Sequence, residues 1–180
     1  MPSGVYLALL RGINVGGRNT LLMKDLAPMF TDAGCENVRT YIQSGNVVFE
    51  ASRALATKIP AQISDVIAKR FGLTVPVVVR SSGEIQKITE NNPLPNVDPK
   101  RVLVAFLAKK PSAKNVALLD PDRSPPDEFF AQGSNIYLHC PKGFARSKFN
   151  TGYFDSKLET ISTIRGWPTV LKLHAMAAET

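Results

Sequence analysis

The sequence opens with a continuous run of apolar residues, Val5–Leu10, which is typical of a strand covered on both faces. After a polar, glycine-rich stretch, apolar residues recur at helical spacing over 24–34, and Gly34 ends this pattern. Because proline is tolerated only in the first turn of a helix, Pro28 makes Asp25 the predicted N-cap. The chain therefore begins with a predicted strand followed by a helix.

The next segment predicts a hairpin, a helix and a strand. Two β-rich runs over 38–43 and 46–51 are separated by Ser-Gly, a signal for a tight hairpin in which Gly45 takes a positive φ. Apolar positions keep helical spacing over 55–71, although a proline inside this stretch must kink or restart the helix. With a further strand predicted over 75–80, the order β-α-β-β-α-β is that of the ferredoxin-like split βαβ motif.

The second half of the chain repeats this plan in its order of elements rather than in residue identity. The predictions there are a strand over 101–108, a short helix capped by Ser112, a hairpin over 128–140 around Gln-Gly-Ser, and helices over about 148–161 and 168–178. The predicted fold class is therefore α+β, with two similar subdomains. Each has a split βαβ (ferredoxin-like) arrangement of one sheet with packed helices.

A polar stretch rich in proline, NNPLPNVDPK over 91–100, separates the two halves. Just before it, Ser81 and Glu84 form a capping-box pattern that predicts a short helix. A polar, proline-rich composition is typical of a domain boundary. We therefore predict an N-terminal α+β half over 1–92 and a C-terminal α+β half over 93–180.

Composition limits the class of protein. With 44% hydrophobic residues in 180, the chain has enough apolar sequence for one medium core or two small ones. Its first residues lack a basic region followed by a long apolar run, so we predict neither a signal peptide nor a membrane span, and expect a cytoplasmic protein. Cys35 and Cys140 lack the spacing of a disulfide framework or a zinc site, so we predict free thiols and no structural metal. We also expect no cofactor.

Charge and glycine occur together directly after the first strand. The formal net charge of +7 favours an anionic partner such as nucleic acid or a nucleotide. In RGINVGGRN, a strand-to-helix turn combines backbone N–H groups with arginines, the groups that bind phosphate or carboxylate. The predicted ligand-binding residues of this loop are Arg11, Gly12, Asn14, Gly16, Gly17, Arg18 and Asn19.

The alternative interpretation of this loop is geometric. In that case the glycines serve a tight turn and the arginines are surface charge. The pattern is neither a Walker A loop, which ends in GK[ST], nor the dinucleotide fingerprint GxGxxG. Both interpretations stay open at the level of the sequence.

Further candidate residues lie at the hairpin tip and in a second basic loop. Ser44 and Asn46 flank the hairpin glycine and are candidate ligand contacts. The segment CPKGFARSKF over 140–149 contributes Lys148, and Ser147 is its predicted helix cap. The two histidines fit neither a catalytic triad nor a metal site. The third strand, NVVFEA, lacks the aromatic pattern of an RNA-recognition motif.

Four segments carry a family resemblance: YLALLRGINVGGRN, MKDL, GCENVRTYIQSGNVVFEAS and STIRGWPTVLKL. They resemble the largely bacterial family called domain of unknown function 1697 (DUF1697) over nearly the whole chain. The resemblance implies an α+β fold of two similar subdomains and brings no established activity. Matches near the end of the chain add Arg165, Trp167 and Lys172 as candidate ligand-binding residues, although Trp167 is also typical of a core anchor. The family pattern there is similar to Arg-Asn-Trp-Asn-Thr, whereas this chain has Gly166 and Pro168 in place of the two asparagines.

These observations lead to one leading hypothesis and two alternatives. We expect an α+β protein that binds an anionic ligand, a nucleic acid or nucleotide phosphate, through loop 11–19. The alternatives are an enzyme acting on a phosphorylated small molecule and a protein-interaction module without a small ligand. The sequence identifies no catalytic residue and assigns no oligomeric state.

Overall fold

The computed structural model describes residues 3–179, which form two antiparallel sheets packed with helices. The elements of the first half are β1 (Ser3–Leu10), α1 (Met23–Asp32), β2 (Glu36–Tyr41), β3 (Asn46–Ser52), α2 (Arg53–Phe71), β4 (Val77–Ser81) and α3 (Ser82–Glu90). Those of the second half are β5 (Val102–Leu107), α4 (Ala113–Val116), β6 (Glu128–Gln132), β7 (Asn135–His139), α5 (Thr151–Leu158), β8 (Ser162–Gly166) and α6 (Trp167–Ala178). Short 3-10 helices lie at Pro99–Arg101 and Phe144–Arg146.

Both sheets have four strands and the same connectivity. The strand order is β2-β3-β1-β4 in the first sheet and β6-β7-β5-β8 in the second. The register of β1 with β4 is equivalent to that of β5 with β8, because Leu7 lies opposite Arg80 in the first sheet and Val104 lies opposite Arg165 in the second. The predicted fold class, two similar α+β subdomains of ferredoxin-like topology, is confirmed.

The described residues divide into two compact units. One contains the chain up to Gln86 together with the end of α6 from Leu173 onward, and the other contains Lys87–Lys172. Helices α3 and α6 therefore each contribute residues to both units. The division of the sequence into 1–92 and 93–180 stays a prediction.

The core of the first unit lies between its sheet and helices α1 and α2. The strands contribute alternate residues, such as Val47 and Phe49, because successive side chains of a strand point to opposite faces. Helix α2 contributes Ile59 and Ile63, which lie one turn apart on its buried face. The rings of Phe30 and Phe49 pack with their centroids 5.3 Å apart. Apolar periodicity thus determines which face of each element is buried.

The second unit has an aromatic core. Phe149 stacks on Phe154 and meets the ring of Phe129 edge-on, with centroids 6.3 and 5.2 Å apart respectively. The hydroxyl of Tyr153 accepts a hydrogen bond from the Asp120 N–H at 2.8 Å. This bond fixes the loop that leads into β6.

The predicted cap of α1 is wrong. The N-cap is Leu22, which provides no side-chain cap, and Asp25 lies within the first turn. Pro28 occupies the interior of the helix, where it has no N–H to donate to the carbonyl of Lys24. Both residues are exposed, so water can bond this carbonyl instead. The helix start is set instead by Asn14, whose side chain bonds both the N–H and the carbonyl of Leu21.

Two boundaries around the first hairpin and α2 also differ from the prediction. Strand β2 ends at Tyr41, which pairs with Asn46, so the hairpin loop contains four residues rather than two. The positive φ of Gly45 is confirmed at 79°. Helix α2 runs through Pro60 without a break, because its apolar face is buried on both sides of the proline. Its N-cap is Ser52.

In the second half, the predicted helix over 148–161 is shorter, and β8 was missed. Helix α5 has Asn150 as its N-cap in place of Ser147. Strand β8 follows closely, but its polar residues hide the strand pattern because Arg165 is buried in the sheet. The capping box of α3 is confirmed, since Glu84 accepts from the Ser81 N–H at 2.7 Å and donates its own N–H to Ser81 Oγ at 3.2 Å.

Candidate functional site

The loop between β1 and α1 forms a small hairpin of its own. Val15 and Arg18 form a β-bridge, and the Arg18 N–H donates to the Val15 carbonyl at 3.1 Å. Gly16 and Gly17 occupy the turn with φ angles of 59° and 72°, the signs of a type I′ turn. Residues with a side chain rarely adopt two successive positive φ angles, so this turn accounts for both glycines.

Two asparagines fix this hairpin to the rest of the chain. Asn14 Nδ2 donates to the Leu21 carbonyl at 2.7 Å and to the Gln43 carbonyl at 2.6 Å, while Oδ1 accepts from the Leu21 N–H at 2.8 Å. Asn19 Nδ2 donates to the Gly12 carbonyl at 2.9 Å. The side-chain amides of both asparagines therefore organise the loop.

The loop lies against the tip of the β2–β3 hairpin. The Leu10 N–H donates to the Gly45 carbonyl at 2.9 Å. A Cβ atom at Gly45 would lie 2.7 Å from both Leu10 Cβ and Ile13 Cδ1, which is too close for any residue but glycine. The structure therefore brings together two groups of predicted site residues, 11–19 and 44–46.

Asn46 and Ser44 close the hairpin loop. Asn46 is fully buried, and its Nδ2 donates to Ser44 Oγ at 2.9 Å and to the Tyr41 carbonyl at 3.1 Å. These bonds give both side chains a structural role. Their role in ligand binding stays a prediction.

The two arginines of the loop have different surroundings. Arg18 is exposed, and within residues 3–179 its guanidinium has no hydrogen-bond or ion-pair partner. Arg11 is half-buried, and its backbone N–H donates to the Pro76 carbonyl at 3.0 Å. Apart from the adjacent residues, no atom of the described chain lies within 4 Å of a Cβ built on Gly16 or Gly17. The turn and the Arg18 guanidinium are thus both accessible to an anion.

Helix α1 begins after this loop without a side-chain cap. The Leu22 carbonyl accepts from the N–H groups of Asp25 and Leu26, both at 3.0 Å. The N–H groups of Met23 and Lys24 belong to the first turn and have no acceptor within the helix. Such groups, together with the positive end of the helix dipole, attract anions. The exposed Lys24 adds positive charge there, and Asp25 opposes it.

Arg165 is an internal residue of the second unit. Its Nη1 donates to Thr163 Oγ1 at 2.9 Å and to the Ile164 carbonyl at 3.0 Å, and burial lowers the pKa of its guanidinium to about 10. Arg80 has the equivalent position in the first sheet, where Nη1 donates to the Val79 carbonyl and burial again lowers the pKa. A buried arginine repeated at one register position indicates a role in the fold. The ligand contact predicted for Arg165 stays a prediction.

The remaining predicted residues of the second unit differ in exposure. Trp167 is buried at the start of α6, with its ring centroid 6.4 Å from that of Tyr137, as expected of a core anchor. Lys172 is exposed on the same helix. Lys148 is exposed before α5, and its backbone N–H donates to Ser124 Oγ at 3.0 Å. Ligand binding by these three residues stays a prediction.

Sequence reasoning missed a cleft beside β6. Its volume is about 360 Å³, and its lining residues are Pro121, Asp122, Pro125, Pro126, Asp127, Glu128, Phe129 and Phe130. The lining contains acidic residues and no lysine or arginine. The segment that forms the cleft is PDRSPPDEFF over 121–130, and its composition is typical of an ordinary solvated loop.

Both cysteine thiols are buried and protonated at neutral pH. Burial raises the pKa of Cys35 and of Cys140 to about 11. Within residues 3–179, no group of three or more His, Cys, Asp or Glu side chains is placed to hold a metal ion. Across the same residues, every helix is too short or too polar to cross a membrane.

The fold and this loop define a class of protein: a duplicated α+β chain with ferredoxin-like units and a glycine–arginine hairpin between β1 and α1. The family model described as "Protein of unknown function (DUF1697)" matches residues 4–137, and the chain belongs to that family. The structure is similar to that of conserved bacterial protein SP0830 from Streptococcus pneumoniae, with a TM-score of 0.75 and 22% sequence identity, covering 98% of this chain and 99% of that chain. At this identity the likeness shows the fold alone. No curated protein matches the sequence significantly.

Proposed function

We propose that the hairpin loop 11–19 binds a phosphate group of a nucleic acid or nucleotide. The observation that carries this proposal is the exposed guanidinium of Arg18, which has no partner within residues 3–179 and lies beside a turn without side chains. An arginine bonds phosphate through several N–H groups at once, which favours it over a simple point charge. The net charge of +7 supports the same class of ligand.

The start of α1 would provide the second part of the site. Because Leu22 provides no side-chain cap, the N–H groups of Met23 and Lys24 have no acceptor within the helix, and Lys24 is exposed. Arg18 precedes this first turn by only a few residues. A phosphate bound there would be held by the guanidinium on one side and by backbone N–H groups on the other.

The loop residues would have separate tasks in this site. Asn14 and Asn19 hold the hairpin in shape through the hydrogen bonds of their amides. Gly16 and Gly17 permit the type I′ turn and leave it open to the ligand. Among Asn14, Gly16, Gly17, Arg18 and Asn19, only Arg18 is charged, so removing it should affect binding and leave the turn intact.

The experiment compares two arginine variants in binding to a fluorescent, mixed-sequence single-stranded oligonucleotide at low salt. Arg18→Ala should weaken binding by about 1.5 to 3 kcal/mol, which is roughly 10- to 150-fold in affinity, with little change in melting temperature. Arg53→Ala removes the same charge from an exposed position at the start of α2 and serves as the matched control. Equal affinities for the two variants would contradict the proposal and leave only the turn.

Salt and ligand size distinguish the two forms of the ligand. Binding to a nucleic acid weakens steeply with salt, and loss of one phosphate contact reduces the salt slope by about one. A single nucleotide bound with a weak dependence on salt would instead favour a small-molecule site. Gly16→Val tests the turn separately, because the strained φ should lower stability and binding together.

A further inference from the structure

Strand β6 forms an exposed edge of the second sheet. Its hairpin with β7 turns over two residues, so Gln132 and Asn135 form the hydrogen-bonded pair that closes the turn. Bonded and non-bonded pairs alternate along an antiparallel ladder. Phe129 and Ala131 are in non-bonded pairs, so the N–H and C=O groups of these two residues point away from β7, toward the open edge.

From Phe129 onward, this edge lacks three of the features that usually prevent strand addition, although loop 121–126 lies beside its start. Proteins protect exposed edges with bulges, prolines or lysines. Strand β2, an edge of the first sheet, has a register irregularity between Glu36 and Arg39. Strand β6 keeps an unbroken register with β7 and contains neither proline nor lysine. Phe130 is 37% exposed, which adds an apolar surface beside the edge.

The cleft of about 360 Å³ lies along the start of the same edge, because Phe129 and Phe130 line both. Prolines of loop 121–126 also line it. The Asp127 N–H donates to the Ser124 carbonyl at 2.7 Å, so this peptide group is already used by the loop. An added strand would consequently pair from Phe129 onward, with the cleft receiving one of its side chains.

The charge of the cleft identifies the kind of side chain that fits. Asp122, Asp127 and Glu128 line it, although the chain as a whole carries a charge of +7. Arg123 does not pair with them, because its guanidinium lies over the Tyr153 ring, 4.0 Å from the ring centroid. Asp127 Oδ2 is buried and accepts from Ser124 Oγ at 2.8 Å, and Glu128 Oε2 lies 3.3 Å from His139 Nδ1, so the exposed carboxylates of Asp122 and Glu128 provide the charge that faces a ligand. Acidic groups beside an edge strand favour lysine or arginine in the docked segment.

We propose that the edge of β6 binds an extended, basic segment of a partner protein by strand addition. Backbone hydrogen bonds form with Phe129 and Ala131, a lysine or arginine enters the acidic cleft, and an apolar side chain packs on Phe130. Recognition of this kind derives affinity from the backbone and specificity from alternate side chains. A second copy of this chain fits less well, since its own β6 would bring a second acidic cleft into the pairing.

Synthetic peptides test the proposal on the full chain. A seven-residue peptide of alternating lysine and valine should shift the amide resonances of Phe129 and Ala131 in ¹⁵N-labelled protein. The peptide of alternating glutamate and valine should shift neither. Equal binding of both peptides, or shifts confined to other regions, would overturn the proposal.

Two kinds of variant separate the backbone bonds from the charges. Ala131→Pro removes an outward N–H without touching the β6–β7 ladder, and should abolish binding of the basic peptide. Asp122→Asn combined with Glu128→Gln should weaken it by about fivefold at low salt, and this result stands even if the proline variant misfolds. Glu36→Gln removes a carboxylate from the start of edge strand β2 and should change binding less than about twofold.

Two results with these variants would overturn the proposal. If Glu36→Gln weakens peptide binding as much as the double variant does, the peptide responds only to the net charge of the protein. A concentration-dependent dimer that Ala131→Pro abolishes would assign the edge to a second copy of the chain. Neither result depends on Arg18, so the phosphate site is tested separately.

Discussion

Replacing Gly45 by alanine should destabilise the protein more than the same change at Gly17. Both glycines have a similar positive φ, 79° and 72°, so both variants carry the strain of a left-handed alanine, about 1 to 2 kcal/mol. At Gly17 the new methyl group points into open space. At Gly45 it lies 2.7 Å from Leu10 Cβ and from Ile13 Cδ1.

The contact with Leu10 sets the additional magnitude. Non-bonded carbons pack at about 3.5 to 4.0 Å, so roughly 1 Å of movement is required. Ile13 can rotate its terminal methyl, but Leu10 Cβ is attached directly to the backbone of β1. Overpacking of this kind costs about 1 to 3 kcal/mol beyond the backbone strain. Gly45→Ala should therefore lose about 2 to 5 kcal/mol of unfolding free energy, and Gly17→Ala about 1 to 2.

Urea unfolding at equal m values measures this difference. Ile13→Val removes the Cδ1 atom and should recover part of the loss in the Gly45→Ala background, which a double-mutant cycle detects as coupling. Equal losses for Gly45→Ala and Gly17→Ala would refute the argument that the loop packs against the hairpin tip. So would the absence of coupling with Ile13.

Three further predictions follow from the loop and the core. Asn14→Ala should lower the free energy of unfolding in urea by about 1 to 3 kcal/mol more than Asn37→Ala does. Both asparagines have left-handed backbones, but Asn14 makes three side-chain hydrogen bonds to the backbone, whereas Asn37 makes a single side-chain bond to Glu50. Equal losses would contradict this prediction. The thiols of Cys35 and Cys140 should resist a disulfide reagent at pH 8 in the native protein and react once urea is added, and rapid native reaction would contradict their burial. Because the folded thiols titrate near 11 and the unfolded ones near 9, the unfolded state holds fewer protons between these values, so unfolding free energy should fall as the pH rises from about 9 to 11. The double variant of both cysteines to alanine should show a smaller fall, and an unchanged pH profile would refute this cause.

The fold was predictable where apolar periodicity is strong. The runs around Val5–Leu10 and the helical spacing through Ile59 and Ile63 decide which faces are buried, and the element order then defines the topology. Strand β8 was missed because its alternation contains Arg165, a residue type that is rarely buried. The start of α1 was misplaced because side-chain hydrogen bonds from Asn14 to Leu21, seven residues further along, fix it, and no helix-capping pattern encodes them.

The candidate site was predictable only in part. The sequence singled out the glycines and arginines of loop 11–19 without separating turn geometry from anion binding. The positive φ angles of Gly16 and Gly17 account for the glycines, and the exposure of Arg18 gives the binding hypothesis its physical basis. The cleft beside β6 depends on strand order and on a loop folded against an edge, which residue composition does not encode.

Amide chemical shifts provide the decisive test of phosphate binding by loop 11–19. A short single-stranded oligonucleotide is added at low salt to ¹⁵N-labelled protein, and the resonances are followed residue by residue. If the loop binds phosphate, the largest shifts should occur at Gly16, Gly17, Met23 and Lys24, and they should be lost in Arg18→Ala while the rest of its spectrum remains that of the folded protein. Shifts confined to other surfaces, or shifts in the loop that persist unchanged in Arg18→Ala, would contradict it.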